Sequence, residues 1–323
     1  MCDARPSWAR KDASTAVRRS LWRGAMVPQS TRKSGENGRM RKLLPLACLA
    51  LVAGCGGAAT GEPRSAGKVR FDAAAAMHLV RVQVGYGPRP AGSRASRRLG
   101  RWLRSELPHG RFQRVPHGLR NVVGSVVGRD PRRIVVVGAH YDTKDIPGYL
   151  GAVDSASGTA VALQLARTIR PRELGPTVVF VLFDGEESPP GPPETPADFV
   201  RRGLRGSKVA ARSLREAETM VLLDLVGNRH LRLRRDPFSD KHLWSRLRDV
   251  ANHLGTGHAF RDGTADATFY DDHYPFVRAG VPSIDLIDFD FPCWHAPCDN
   301  LSQVSQASLG ETGRTVLGLL LTL

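Results

Sequence analysis

Seven side chains able to bind metal or move protons stand at or near the ends of apolar runs in this chain: His140, Asp142, Asp154, Glu186, Glu187, Asp224 and His295. His140 and Asp142 are two apart, so on an extended strand they point the same way, and Asp142 is placed to hold the imidazole of His140. Asp154 follows a Gly-rich loop and opens a helical segment, which projects its carboxylate toward the strand ends. Glu186 and Glu187 are neighbours and face different sides, so one can bind metal while the other stays free as a base. Asp224 closes the run Val221-Leu222-Leu223, and His295 lies in the late pair Trp294-His295. Any one of these alone reads as a turn or cap residue. Carboxylates and imidazoles gathered at several strand ends suit zinc.

Such a gathering needs strands to deliver it. Two apolar runs, 134–137 and 178–182, each end in a cluster of these residues, and between them lies an Ala- and Leu-rich segment with helical spacing. That is a βαβ unit with a site at its rim. Absence of polar alternation in 134–139 and 177–183 predicts strands buried on both faces. Further strands are expected at 121–127, 220–223 and 283–287. Helices are expected from residue 71 and at 93–106, 156–169, 207–216, 239–254 and 302–323, with a helical turn at 273–279. The proline-rich stretch 188–203 reads as a surface loop beside the site. Strands and helices alternate with no repeat or break in composition, which predicts one α/β domain.

The formal charge of +16 points toward nucleic acid, but half of it sits in residues 1–42. The remaining arginines are scattered through helical segments without a basic stripe interleaved with aromatics, so no nucleic-acid partner is expected. Residues 40–55 read MRKLLPLACLALVAGC, a short basic start and an apolar run too short to span a bilayer. The ending resembles a bacterial lipobox, with Cys55 as the acylated residue. Residues 1–39 then read as a non-native or disordered extension, 40–54 as a lipoprotein-type signal peptide and 55–69 as a tether. Residues 70–323 read as the domain carrying the site, expected to be a catalytic domain exported and lipid-anchored to a bacterial membrane. In that compartment Cys293 and Cys298 are expected to close a small disulfide loop around His295. Two thiols and one histidine fall one ligand short of the alternative, a structural zinc site.

The segments Ala-His-Tyr-Asp-Thr-Lys (139–144), Gly-Ala-Val-Asp-Ser-Ala-Ser-Gly (151–158), Phe-Asp-Gly-Glu-Glu (183–187), Leu-Leu-Asp-Leu-Val-Gly (222–227), Asp-Asp-His-Tyr-Pro-Phe (271–276) and Trp-His (294–295) together resemble the zinc aminopeptidase and glutaminyl cyclase superfamily. The resemblance spans about residues 70–323 in matching order. It implies a three-layer sandwich, a mostly parallel mixed sheet between helices, and peptide amino termini as substrate.

Two chemistries share that scaffold. In the aminopeptidase branch the resemblance implies two zinc ions, with His140 and Asp224 on one, Glu187 and His295 on the other, and Asp154 bridging. Glu186 then activates the attacking water. In the cyclase branch it implies one zinc on Asp154, Glu187 and His295. There Glu186 carries a proton from the α-amine of an N-terminal glutamine to departing ammonia, and Asp271 with Asp224 steadies the relay. The wording around Asp271-Asp272, Phe291 and Trp294 is closer to cyclases, with Trp294, Phe291 and Tyr270 expected at the substrate. Two departures touch recognition. Ser188-Pro189-Pro190 stands where animal cyclases place a tryptophan, and Tyr270 replaces a frequent glutamine. A catalytically silent domain on this fold would have no need of Glu186 beside intact ligands.

Overall fold

Every residue of β3 (Asp130–His140) from Val135 onward is buried, and its side chains alternate between two cores. Val135, Val137 and Ala139 join the larger core, whereas Val136 joins the smaller one. A strand covered on both faces requires helices above and below it. The computed structural model describes residues 70–191, 194–265 and 269–323 and has that arrangement. The expectations for residues 1–69, Cys55 included, lie outside the described residues.

Six strands form one mixed sheet in the order β1 (Arg111–Val115), β2 (Leu119–Val126), β4 (Pro176–Phe183), β3, β5 (Thr219–Leu223), β8 (Ser283–Leu286). The three pairings β4/β3, β3/β5 and β5/β8 are parallel, and β1/β2 and β2/β4 are antiparallel. On one face lie α1 (Ala73–Val84), α2 (Arg94–Glu106), α3 (Ala156–Thr168), α6 (Lys241–His253) and α8 (Gln306–Thr322), whose apolar residues fill the larger core. The other face is covered by α5 (Arg205–Ser213) and α7 (Tyr274–Arg278), through Ala210, Ala211 and Phe276. Each fully buried Val, Leu or Phe in these layers contributes about 1.5–3 kcal/mol.

The chain leaves β3 through α3 on one face, then leaves β4 through α5 on the other to reach β5 on the far side of β3. Connections diverging in this way open a crevice at the carboxyl ends of the strands. Close packing of α3 sharpens the crevice: a Cβ at Gly158 would lie 2.0 Å from the Leu223 carbonyl oxygen.

Four elements differ from the sequence expectation. Stretch 188–203 contains a helix, α4 (Pro196–Arg202). Its prolines do not forbid one, because Pro196 sits in the first turn, where its missing N–H costs nothing, and Thr195 with Asp198 forms a capping box. Strand β1, with three arginine and glutamine side chains among its five residues, has the composition of a solvated edge and no core signal. A separate parallel pair, β6 (Leu233–Arg235) with β7 (Phe260–Thr264), is too short to announce itself.

Candidate metal centre

Four parallel strands bring the candidate residues to one rim. His140 is the last residue of β3, Glu186 and Glu187 follow β4, Asp224 follows β5, and His295 lies in the segment after β8. Asp154 comes from the loop ahead of α3. Two groups of ligand atoms result, each lying within 4.8 Å of one another: His140, Asp154 and Asp224, and Asp154, Glu187 and His295. Asp154 belongs to both. Its Oδ1 is 3.1 Å from His140 Nε2, and its Oδ2 is 3.5 Å from His295 Nε2. Asp224 Oδ1 lies 3.3 Å from His140 Nε2, and Glu187 Oε1 lies 3.0 Å from His295 Nε2. Buried oxygen and imidazole donors converging without a thiolate fit zinc.

The two glutamates part company through the turn that carries them. Gly185 has φ 82°, a left-handed conformation in which a Cβ would meet Leu119 and Arg205. After it, Glu186 N–H donates to Asp142 Oδ1 and Glu187 N–H to Asp142 Oδ2, both at 3.3 Å. Asp142 therefore fastens the glutamate turn. Asp142 Oδ1 also lies 3.8 Å from His140 Nδ1, an ion-pair contact longer than a hydrogen bond.

Electrostatics separates the pair further. Burial would raise Glu187, but Lys144, with Nζ 2.9 Å from Glu187 Oε2, and His295 outweigh it and hold the carboxyl well below the usual range. Glu186 goes the other way. Burial, then the negative charge of Glu187, pushes it well above an ordinary glutamate, and its Oε2 lies 3.9 Å from His140 Nδ1. Burial alone would lower His140, yet the Asp224, Asp142 and Asp154 carboxylates raise it. Asp271 is buried, is raised by that burial and by Asp224 and Asp272, and leaves its Oδ2 without a partner.

The loop holding Asp154 is braced by residues that the sequence did not single out. Tyr149 Oη donates to Asp154 Oδ2 at 2.8 Å. Asp299 accepts from the N–H groups of Val153 at 2.8 Å and Asp154 at 3.0 Å. Arg89 is fully buried, donates to the Leu150 and Gly151 carbonyls at 2.8 and 3.1 Å, and is lowered by burial to about 10. Only Lys144 carried a readable signal, since it continues the alternate face of His140 and Asp142 along an extended backbone.

Of the residues expected at the substrate, Trp294 stands beside the ligands, its ring centroid 4.5 Å from that of His295. Phe291 does not reach the site. It is 3% exposed in the larger core, and Phe289 meets Trp294 edge-on instead. Phe289 in turn stacks on Phe269, which extends the aromatic wall. Tyr270 packs against Phe238 and Tyr274 in a separate cluster. Cys293 and Cys298 are bridged, and His295 between them has φ 51°. A third buried group, Asp236, His273 and Asp285, holds the His273 ring between carboxylates at 3.3 and 3.6 Å.

Known proteins resemble this chain in sequence and fold. A glutaminyl-peptide cyclotransferase of Drosophila melanogaster is 30% identical over 219 residues, 54% of this chain and 57% of that protein. Aminopeptidase YwaD of Bacillus subtilis is 28% identical over 199 residues, 57% of this chain and 39% of that protein. The chain thus spans less than two thirds of these curated relatives. Among solved structures, Porphyromonas gingivalis glutaminyl cyclase superposes with a TM-score of 0.68 at 27% identity, covering 77% of this chain and 98% of that one. A leucine aminopeptidase precursor from Bacteroides thetaiotaomicron gives 0.70 at 25% identity, covering 79% and 98%. The family model for Peptidase family M28 matches residues 121–320. That span begins within β2, ends within α8 and contains every candidate ligand: the chain belongs to Peptidase family M28.

Proposed function

We propose that this chain is a zinc-dependent enzyme acting on free peptide amino termini, and that it closes an N-terminal glutamine to pyroglutamate with release of ammonia. Asp154, Glu187 and His295 would hold the zinc. When bound, it supplies a Lewis acid that polarises the side-chain amide of the glutamine. In the reaction a bond forms between the α-amine nitrogen and the side-chain carbonyl carbon, and the bond from that carbon to the amide nitrogen breaks. Glu186 takes the proton lost by the amine and returns it to the departing nitrogen. Its raised affinity for a proton suits both halves of that transfer. Holding amine and amide in one molecule against the Trp294 wall supplies much of the rate through geometry alone.

The observation that carries ring closure over hydrolysis is Asp271. It is buried, leaves Oδ2 without a partner, and is raised by burial and by the Asp224 carboxylate, which places a second buried acid beside the proposed proton relay. The second reading, a di-zinc aminopeptidase, is favoured by the ligand group His140, Asp154 and Asp224. There Glu186 takes its proton from water instead. Gln-initiated and Leu-initiated peptides incubated side by side with residues 56–323 separate the two. Ring closure predicts ammonia and a blocked amino terminus from the first peptide only, and free leucine from the second overturns it.

We further propose that residues 40–54 are an export signal and that Cys55 anchors the mature chain to the outer face of a bacterial membrane through a lipid. No helix among the described residues is long and apolar enough to cross a membrane. Intact-mass analysis should find an acylated Cys55 at the amino terminus, and Cys55→Ser should move the protein from the membrane to the soluble fraction. Retention of residues 1–39 in the mature chain contradicts this processing.

A further inference from the structure

We propose that the Cys293–Cys298 disulfide is a positioning element for His295, so that the metal affinity of the site depends on the bridge. The inference rests on the reading of Asp154, Glu187 and His295 as a zinc site.

His295 is held unlike His140, Glu187 and Asp224. His140 ends a strand paired on both sides, and Glu187 and Asp224 follow strands within a few residues. Between β8 and the short helical turn at Leu301–Gln303, residues 287–300 form neither helix nor strand, so no ladder carries His295. Its backbone is also in the left-handed region at φ 51°, which a side chain with a Cβ rarely adopts unless its surroundings enforce it. Single turns supply part of that enforcement: Ala296 N–H donates to the Cys293 carbonyl at 3.0 Å, and Asp299 N–H to the Ala296 carbonyl at 2.9 Å. The covalent part is the bridge, which closes residues 293–298 into a ring around His295.

The two ends of the bridge are anchored differently. Cys293 packs into the larger core, whereas Cys298 is exposed, so the bond ties a surface turn to the interior. Directly after Cys298 comes Asp299, the buried carboxylate that receives the Val153 and Asp154 N–H groups. One covalent link therefore lies between a ligand, His295, and the clamp on a second ligand, Asp154. Cutting it lets residue 295 relax out of its left-handed conformation and loosens the turn that joins the two.

Metal affinity tests this apart from turnover. Zinc dissociation constants, from competition with a chromophoric chelator, are compared for the wild-type chain, Cys293→Ala/Cys298→Ala, His295→Ala and the triple variant. Alanine is used because free thiols bind zinc themselves. The metal-free proteins are melted in parallel. Positioning predicts a cooperative melt for the double variant and an affinity weaker by about tenfold or more. In the His295→Ala background the cysteine substitutions should change affinity less than about twofold, because their effect passes through His295. Unchanged affinity in the double variant overturns the proposal, as does an equal loss in the His295→Ala background. Either result reduces the bridge to a staple for the fold. Should the double variant melt without cooperativity, the comparison is made on folded wild-type protein treated with a phosphine and then with iodoacetamide, each thiol losing its proton and displacing iodide, so that no free thiol remains to bind zinc. The phosphine is oxidised to its oxide with oxygen from water, and each sulfur gains one electron and one proton. The same loss of affinity is then required. A wild-type chain that takes up no zinc removes the metal reading itself along with this inference, an outcome distinct from zinc bound with unaltered affinity.

Discussion

Glu186 and Glu187 carry the same carboxyl group one residue apart, yet their surroundings drive them in opposite directions. Lys144 and His295 hold Glu187 well below the usual carboxyl range, while burial and the charge of Glu187 raise the affinity of Glu186 for a proton. Two coupled acids pushed apart in this way divide their roles. Glu186→Gln should therefore keep its zinc and lose turnover by about 10²–10⁴-fold, the usual worth of a positioned proton carrier. Steady-state rates beside metal content per chain check it, and a variant that stays active refutes the assignment. That the two glutamates meet different surroundings was legible, because adjacent side chains point to different sides. What drives them apart was not. Lys144 reaches Glu187 only once β3 and β4 are aligned, and Asp142 meets the glutamate turn for the same reason.

Among the elements, the βαβ unit from β3 to β4 was readable from its unbroken apolar runs, whereas the braces of its loop were not. Asp299 lies far along the chain from the Asp154 it clamps, and nothing local in Cys298-Asp299-Asn300 signals the contact. Asp299→Ala should weaken zinc binding by about 10–100-fold, as loss of a partner that orients a ligand does. Chelator competition measures it, and unaltered affinity would deny Asp299 that role. Packing of α3 gives an independent prediction. Gly158→Ala places a methyl on the Leu223 carbonyl next to Asp224, which should cost about 1–3 kcal/mol. At about 2–4 °C per kcal/mol for a domain of this size, the loss is visible in thermal melts. An unchanged melting temperature would mean that α3 and β5 part without cost. Helix α4 escaped the sequence reading because proline count outweighed the Thr195–Asp198 capping box, a signal that was there to be read.

At the scale of the molecule, the rim gathers more buried acid than a folded protein holds comfortably without metal. Burial raises Asp184 to about 6, with Asp142 adding to it, and raises Asp272 to about 7 against the pull of His140. A carboxyl whose affinity for protons rises on folding stabilises the folded state fully below its unfolded value, near 3.8. That contribution fades as pH climbs through the folded values. Metal-free protein should thus lose stability between about pH 4 and pH 7 from these two groups, and denaturant melts at pH 5 and pH 8 in chelator check the sign. Greater stability at pH 8 would contradict it. Zinc should reverse the trend, since its ligands must be deprotonated to bind.

The number of zinc ions per chain tests the central claim most directly, because one ion on Asp154, Glu187 and His295 is what separates ring closure from the two-metal alternative. Metal analysis of dialysed protein should give one zinc for the wild-type chain and still one for His140→Asn, whereas Glu187→Gln and His295→Ala, left with two ligands that bind only weakly, should retain none through dialysis. Two zinc ions in the wild-type chain, with one lost in His140→Asn, would contradict the account.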